Sequence, residues 1–241
     1  MRLLAAKLAL APLLLWQGIR VRRTALRLPE AAGPREGSAG DGDLQLRLLI
    51  VGDSSGAGVG AAHQGEALAG RLATALARRL GGRIEWQLLA TTGHTTRDAF
   101  ERMQQASLRP ADVLVTALGV NDAVGQVAPR LWLDQLSAID ALARERAGVR
   151  FTLHSAVPPM QEFPLLPQPL RWLMGAQARR LNAALAASLV PTRAMQSLPA
   201  ELQGERAAEL MAPDGFHPNP AGYALWAETL AERLANELRA S

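Results

Sequence analysis

The chain has no cysteine among its 241 residues. That excludes disulfides, thiolate nucleophiles and cysteine-ligated zinc, and leaves the compartment open. Aromatic residues are scarce, at 4%, with one tyrosine and scattered tryptophans, so no aromatic platform for carbohydrate is expected. A membrane-spanning run is lacking as well: the apolar stretch Leu8 to Ile19 is twelve residues long and contains Pro12 and Gln17. About 20 apolar residues are needed to cross a bilayer. Positive charge is sparse wherever a nucleic acid would need it. Residues 1–36 hold seven basic groups (Arg2, Lys7, Arg20, Arg22, Arg23, Arg27, Arg35) against Glu30 and Glu36, about +5 of a net +4, so the remaining 205 residues come to about −1. No nucleic-acid partner is expected from that distribution.

What remains is the composition of a globular protein, 49% hydrophobic and 20% charged. Residues 1–43 read as a basic, apolar arm followed by a flexible linker, "EAAGPREGSAGDGD"; residues 44–241 read as one folded domain. Three readings of the arm stand side by side. It has the charged start and apolar middle of a secretion signal, but the run ends in "RVRR" instead of small residues. It also suits a helix lying on an anionic membrane surface, or a helix packed on the domain. The corresponding locations are periplasmic or secreted, peripheral to a membrane, or cytoplasmic.

From Leu44 onward, strand and helix signals alternate. "LQLRLLIV" is an apolar strand, and Leu68, Leu72, Leu76 and Leu80 recur at helical spacing before Gly81-Gly82. "RIEWQLLA", "ADVLVTALG" and "VRFTLHSAV" supply further strands, and Arg193 to Gln196 a short last one. Helices are expected over 130–147, over Leu170 to Leu189, and after Asn219-Pro220, an N-cap followed by the residue that suits the first helical position. The pattern predicts a three-layer α/β/α sandwich on a parallel sheet, with chemistry beyond the carboxyl ends of the strands.

The first strand stops at "GDSSGAGVG", from Gly52. A phosphate-binding loop is one reading, but neither Gly-Lys-Ser/Thr nor Gly-x-Gly-x-x-Gly spacing follows. The other reading makes a serine reactive: Ser54, with Ser55 as the alternative. "APDGFHP" places Asp214 three residues before His217, where a carboxylate reaches the near ring nitrogen within one turn. Taken alone, that pair also fits two metal ligands or a surface turn. Acyl transfer needs donors for an oxyanion as well, and the Ser54 amide, the Gly93 amide and the Asn121 side chain lie just past three strand ends.

Together, "GDS" near the start, the glycine of "TTGHTT", "GVND" and "DGFH" near the end resemble the GDSL or SGNH hydrolase family. The four blocks occur in the family's order and span Gly52 to His217. The resemblance implies Ser54 as nucleophile, His217 as base, Asp214 as its orienting acid, and Gly93, Asn121 and the Ser54 amide as oxyanion donors. It further implies a flavodoxin-like, five-stranded parallel sheet, no cofactor and no metal, and cleavage of a small-molecule ester or lipid. Esterase, lipase, thioesterase or lysophospholipase activity would fit; a non-catalytic envelope-binding module is the reading of another class. "GDSS" stands where the family name has a leucine.

Of the other candidates, His63 is expected at the surface, His94 at the mouth of the site and His154 buried. Asp53 and Asp122 are expected to pin their loops by accepting backbone N–H bonds. The proline-rich, apolar segment 156–175 is expected to cover the site, with Met160, Phe163 and Trp172 as candidates for binding an acyl chain.

Overall fold

A computed structural model describes residues 2–202 and 205–240. The sheet consists of β1 (Glu36–Ala39), β2 (Leu44–Gly52), β3 (Arg83–Ala90), β4 (Val113–Ala117), β5 (Phe151–Ser155) and β6 (Arg193–Gln196), in the order β1-β3-β2-β4-β5-β6. Strands β3, β2, β4, β5 and β6 run parallel, which is the expected five-stranded, flavodoxin-like arrangement. The most apolar runs sit at its centre: β4 is buried at every position, and the last five residues of β2 are too.

A sixth strand extends the sheet. Antiparallel β1 lies along the outer edge of β3, with Gly37 opposite Trp86, inside the segment expected to be a flexible linker. The segment is fixed elsewhere too, since Glu30 accepts a hydrogen bond from the Thr92 amide and pairs with Arg35. "EGSA" has little strand propensity. It is ordered because the open edge of β3 offers unpaired backbone groups.

Helices α2 (Leu68–Leu80) and α7 (Pro220–Ala240) pack together over one face of the sheet. Helices α3 (Thr96–Gln105) and α5 (Pro129–Ala147) cover the other. In α2 the predicted stripe is borne out, with Leu68, Leu72 and Leu76 fully buried. Asn219 caps α7 through its side-chain oxygen, which accepts from the Ala221 and Gly222 amides. Helix α3 was not among the expected helices, although its capping box, Thr95 with Asp98, stands in the sequence as Thr-x-x-Asp. A third apolar cluster joins the short α4 (Val120–Val124), α6 (Leu170–Ala186) and the segment between β5 and α6. The arm forms α1 (Arg2–Thr24), which lies against α6: the Gln17 amide donates to the Gln168 carbonyl and accepts from the Leu170 amide. No helix is long and apolar enough to cross a membrane among the described residues.

Candidate active site

Three strands end in line. Gly52 of β2 is paired with Ala90 of β3 on one side and Ala117 of β4 on the other. Ser54, Gly93 and Asn121 lie two, three and four residues beyond that line, so parallel register alone brings the three loops to one edge. The chain turns back sharply after β2. A β-carbon at Gly52 would fall 2.9 Å from the Gly56 α-carbon, and the converse holds, so only glycine at both positions permits this turn. No helix begins at Ser54. Instead a run of turns follows, with Ala57 N–H bonded to the Asp53 carbonyl and Val59 N–H to that of Ser54, and α2 begins only at Leu68. Glycine at 56, 58 and 60 disfavours a continuous helix there.

The Ser54 hydroxyl lies 2.8 Å from Nε2 of His217, and Nδ1 of the same ring lies 2.6 Å from Oδ2 of Asp214. The other Asp214 oxygen accepts from the Phe216 and His217 amides, both at 3.0 Å. Burial alone would push the Asp214 carboxyl up; the His217 ring and these two amides outweigh it and hold the carboxyl below its ordinary range. An ionised carboxylate carries no proton, so Nδ1 must be the donor to it. Nε2 is then left with a lone pair that accepts the hydrogen bond of the Ser54 hydroxyl. Residues 54 and 217, separated by 163 positions, are thus joined as the motifs required. The Tyr223 hydroxyl reinforces the join by donating to the Val59 carbonyl, a contact no sequence signal announced.

Gly93 is exposed with φ +86°, and a β-carbon there would meet nothing within 4 Å. Its backbone angle, not crowding, selects glycine. The Asn121 side-chain nitrogen donates to the His94 carbonyl at 2.8 Å. A carbonyl demands a donor, so this bond fixes which end of the amide is nitrogen and leaves a second N–H for a substrate oxygen. The Gly93 and Asn121 loops are also tied through Asp122, which accepts from the Thr96 amide and hydroxyl; Trp132 in turn donates to that hydroxyl. Asp122 therefore pins its loop as expected. Its carboxyl is raised by burial, against the opposing pull of the Thr96 bonds.

Asp53 accepts the Ser55 amide and is otherwise enclosed, at 1% exposure. Burial pushes its carboxyl up to about 6, opposed by the Ser55 hydrogen bonds and the nearby His217. A carboxyl with a raised folded value binds its proton more tightly folded than unfolded, so the fold loses stability as pH rises from about 4 through 6. At pH 8 the penalty is on the order of 3 kcal/mol. Asp53→Asn keeps the acceptor for Ser55 and removes the charge. We expect it to raise Tm by several degrees at pH 8 and to leave it unchanged at pH 4, as read by thermal melts at both pH values. A gain of equal size at both would contradict this origin.

The segment between β5 and α6 does reach the site. Leu165 N–H bonds to the Gly215 carbonyl, and the Phe163 ring meets Phe216 edge-on at 4.9 Å, with Phe216 against the His217 ring. Phe163 also lines a cavity of about 40 Å³ bounded by the chain neighbours of Ser54 and His217: Asp53 and Ser55, Phe216 and Pro218. The other two candidates lie apart from this cavity. Met160 is fully buried in the cluster under the segment, and Trp172 is 40% exposed on α6; neither lines the cavity. Spacing could not tell a side chain turned into the core from one turned to a substrate. Leu198, Leu202 and Met211 line the cavity from a segment that had no recognisable pattern.

The remaining histidines fall as expected. His63 is exposed, and His94 is half-buried beside Gly93. His154 is buried and bonded to Thr116, with Asp140 and Arg193 beside it. No cluster of three or more acid or histidine side chains suited to a metal occurs among the described residues.

A sequence model of the GDSL-like lipase/acylhydrolase family matches residues 50–225, from β2 into α7. The GDSL-like esterase Rv1075c of Mycobacterium tuberculosis is 28% identical over 209 residues; the alignment covers 81% of this chain but only 63% of that longer protein. Among solved structures, the lipase Lip_vut3 from a goat rumen metagenome superposes with TM-score 0.59 at 18% identity, covering 80% of this chain and 98% of the lipase. A member of the lipolytic G-D-S-L family from Veillonella parvula gives 0.56 at 14% identity, with 79% and 97% covered. These likenesses support the fold.

Proposed function

Because the chain belongs to the GDSL-like lipase/acylhydrolase family, a class of carboxylic ester hydrolases, we propose that it cleaves short-chain acyl esters through an acyl-enzyme on Ser54. The observation that carries this reading is the relay from Ser54 to His217 to Asp214, at 2.8 Å and 2.6 Å, in a tautomer fixed by its own hydrogen bonds. As the Ser54 oxygen attacks the carbonyl carbon, its proton passes to Nε2 of His217. The imidazolium so formed is stabilised by Asp214. Negative charge builds on the carbonyl oxygen, within reach of donors from the Ser54 amide, the Gly93 amide and the Asn121 side chain. His217 returns the proton to the leaving oxygen or sulfur, the acyl group stays on Ser54, and water activated by the same nitrogen releases the acid.

The candidate acyl site is the cavity bounded by the chain neighbours of Ser54 and His217, rather than by those two side chains themselves. At about 40 Å³ it holds roughly three water-sized volumes, which matches an acyl tail of a few carbons. Its walls are mostly apolar, with Phe163, Phe216, Leu198 and Leu202 beside the polar Asp53, Ser55 and Ser155, so a hydrocarbon tail is favoured over a sugar. A panel of p-nitrophenyl esters of rising chain length, with a short acyl thioester alongside, tests this. We expect kcat/KM to peak at the shortest chains and to fall about tenfold or more for long ones, since overfilling such a pocket costs on the order of 1–3 kcal/mol. A maximum at long chains would overturn the short-chain assignment.

A further inference from the structure

We propose that α1 and the residues just after it form a docking surface for an anionic phospholipid bilayer, lying in the interface rather than across it. This inference is independent of the esterase reading. One face of the helix is already used: Leu14, Gln17 and Val21, spaced by three and four, pack on the cluster that contains α6. The opposite face is exposed among the described residues. Leu15 is 68% exposed, Trp16 55% and Ile19 53%, with Leu26 exposed beyond the helix end. Three large apolar side chains on one helix face would ordinarily be buried.

The charge on the same element identifies the occupant. Arg20, Arg22, Arg23 and Arg27 are all exposed, and no carboxylate among the described residues pairs with them. Arg20 instead lies over the Trp16 ring at 5.3 Å. The rest of the chain carries about −1, so the net positive charge is concentrated here. A second copy of the chain would bring four arginines against four, which repel; an apolar core in the bilayer boundary with arginines at anionic headgroups satisfies both halves of the surface. A tryptophan at the headgroup level suits that depth. Since Gln17 is bonded to Gln168 and Leu170, docking would also hold the segment that reaches Gly215 and Phe216, next to His217, close to the lipid.

The test uses the full chain and sedimentation with vesicles of phosphatidylcholine, alone or mixed with phosphatidylglycerol. Binding is expected to the mixed vesicles, at least tenfold tighter than to the neutral ones, and to weaken with added salt. Replacing Arg20, Arg22 and Arg23 together by glutamine should lower the affinity by about fivefold per arginine, roughly a hundredfold in all. Trp16→Ser with Ile19→Ser should abolish binding to both kinds of vesicle. All variants should hydrolyse a water-soluble ester at the unaltered rate, which separates this proposal from the catalytic one. Equal affinity for neutral and anionic vesicles would overturn it, as would absence of binding, or variants that bind like the original chain. Light scattering that shows a dimer dependent on Trp16, without vesicle binding, would overturn it in favour of a second copy.

Discussion

Ser54→Ala is expected to lower kcat/KM for a short p-nitrophenyl ester by at least ~10³-fold and to leave the fold intact. The substitution removes a single oxygen, whose bond in the structure is to Nε2 of His217. Neither the close approach of Gly52 to Gly56 nor the pairing of β2 on both sides involves that oxygen. Circular dichroism and Tm should therefore be close to those of the original chain. Some hydrolysis above the uncatalysed rate should survive, because Asn121 and the loop amides remain to polarise a carbonyl. Loss of less than tenfold would mean that Ser54 is not the attacking group. Loss of activity together with loss of fold would leave the same question for a milder change, Ser54→Cys, which keeps a hydrogen-bonding group and should also be strongly impaired.

Asp214→Asn has the second-largest expected effect, and its cause is a tautomer rather than a lost contact. One carboxylate oxygen accepts from the amides of Phe216 and His217. In the asparagine variant the side-chain oxygen must stay with those two donors, so the new NH₂ faces Nδ1 of His217 at the place of the present 2.6 Å bond. Two N–H groups cannot point at each other, so Nδ1 becomes the acceptor and the ring proton moves to Nε2. That nitrogen then has no lone pair for the Ser54 proton. A fall in kcat of about 10⁴ at neutral pH is expected, with KM little changed. Activity should partly recover at high pH, where hydroxide takes over the role of the base. A modest effect concentrated in KM would show that Asp214 shapes the pocket without orienting the ring.

Much of this arrangement was legible in the sequence because it is local or periodic. Asp214 and His217 are three residues apart, and their contact needs one turn. The loops of Ser54, Gly93 and Asn121 follow apolar runs, and parallel strands in register bring such loops to a common edge. That a serine meets a histidine 163 residues away was legible only through the four blocks taken together. What resisted was whatever depends on a partner invisible to local pattern. Strand β1 is ordered by the edge of β3, not by its own propensities. Met160 turns into the apolar cluster beneath the segment and Trp172 lies exposed on α6, a choice of facing that apolar character alone does not make. The bond from Asn121 to the His94 carbonyl involves a backbone atom, about which the residue type says nothing.

The most direct test of the central claim, that the hydroxyl of residue 54 is the reactive group, is labelling with a fluorophosphonate followed by mass spectrometry of the peptide holding Ser54 and Ser55. One phosphonyl adduct is expected, placed on Ser54 by fragmentation, in step with loss of esterase activity and absent when the protein is denatured first. An adduct on Ser55, or full inhibition with Ser54 unmodified, would contradict it.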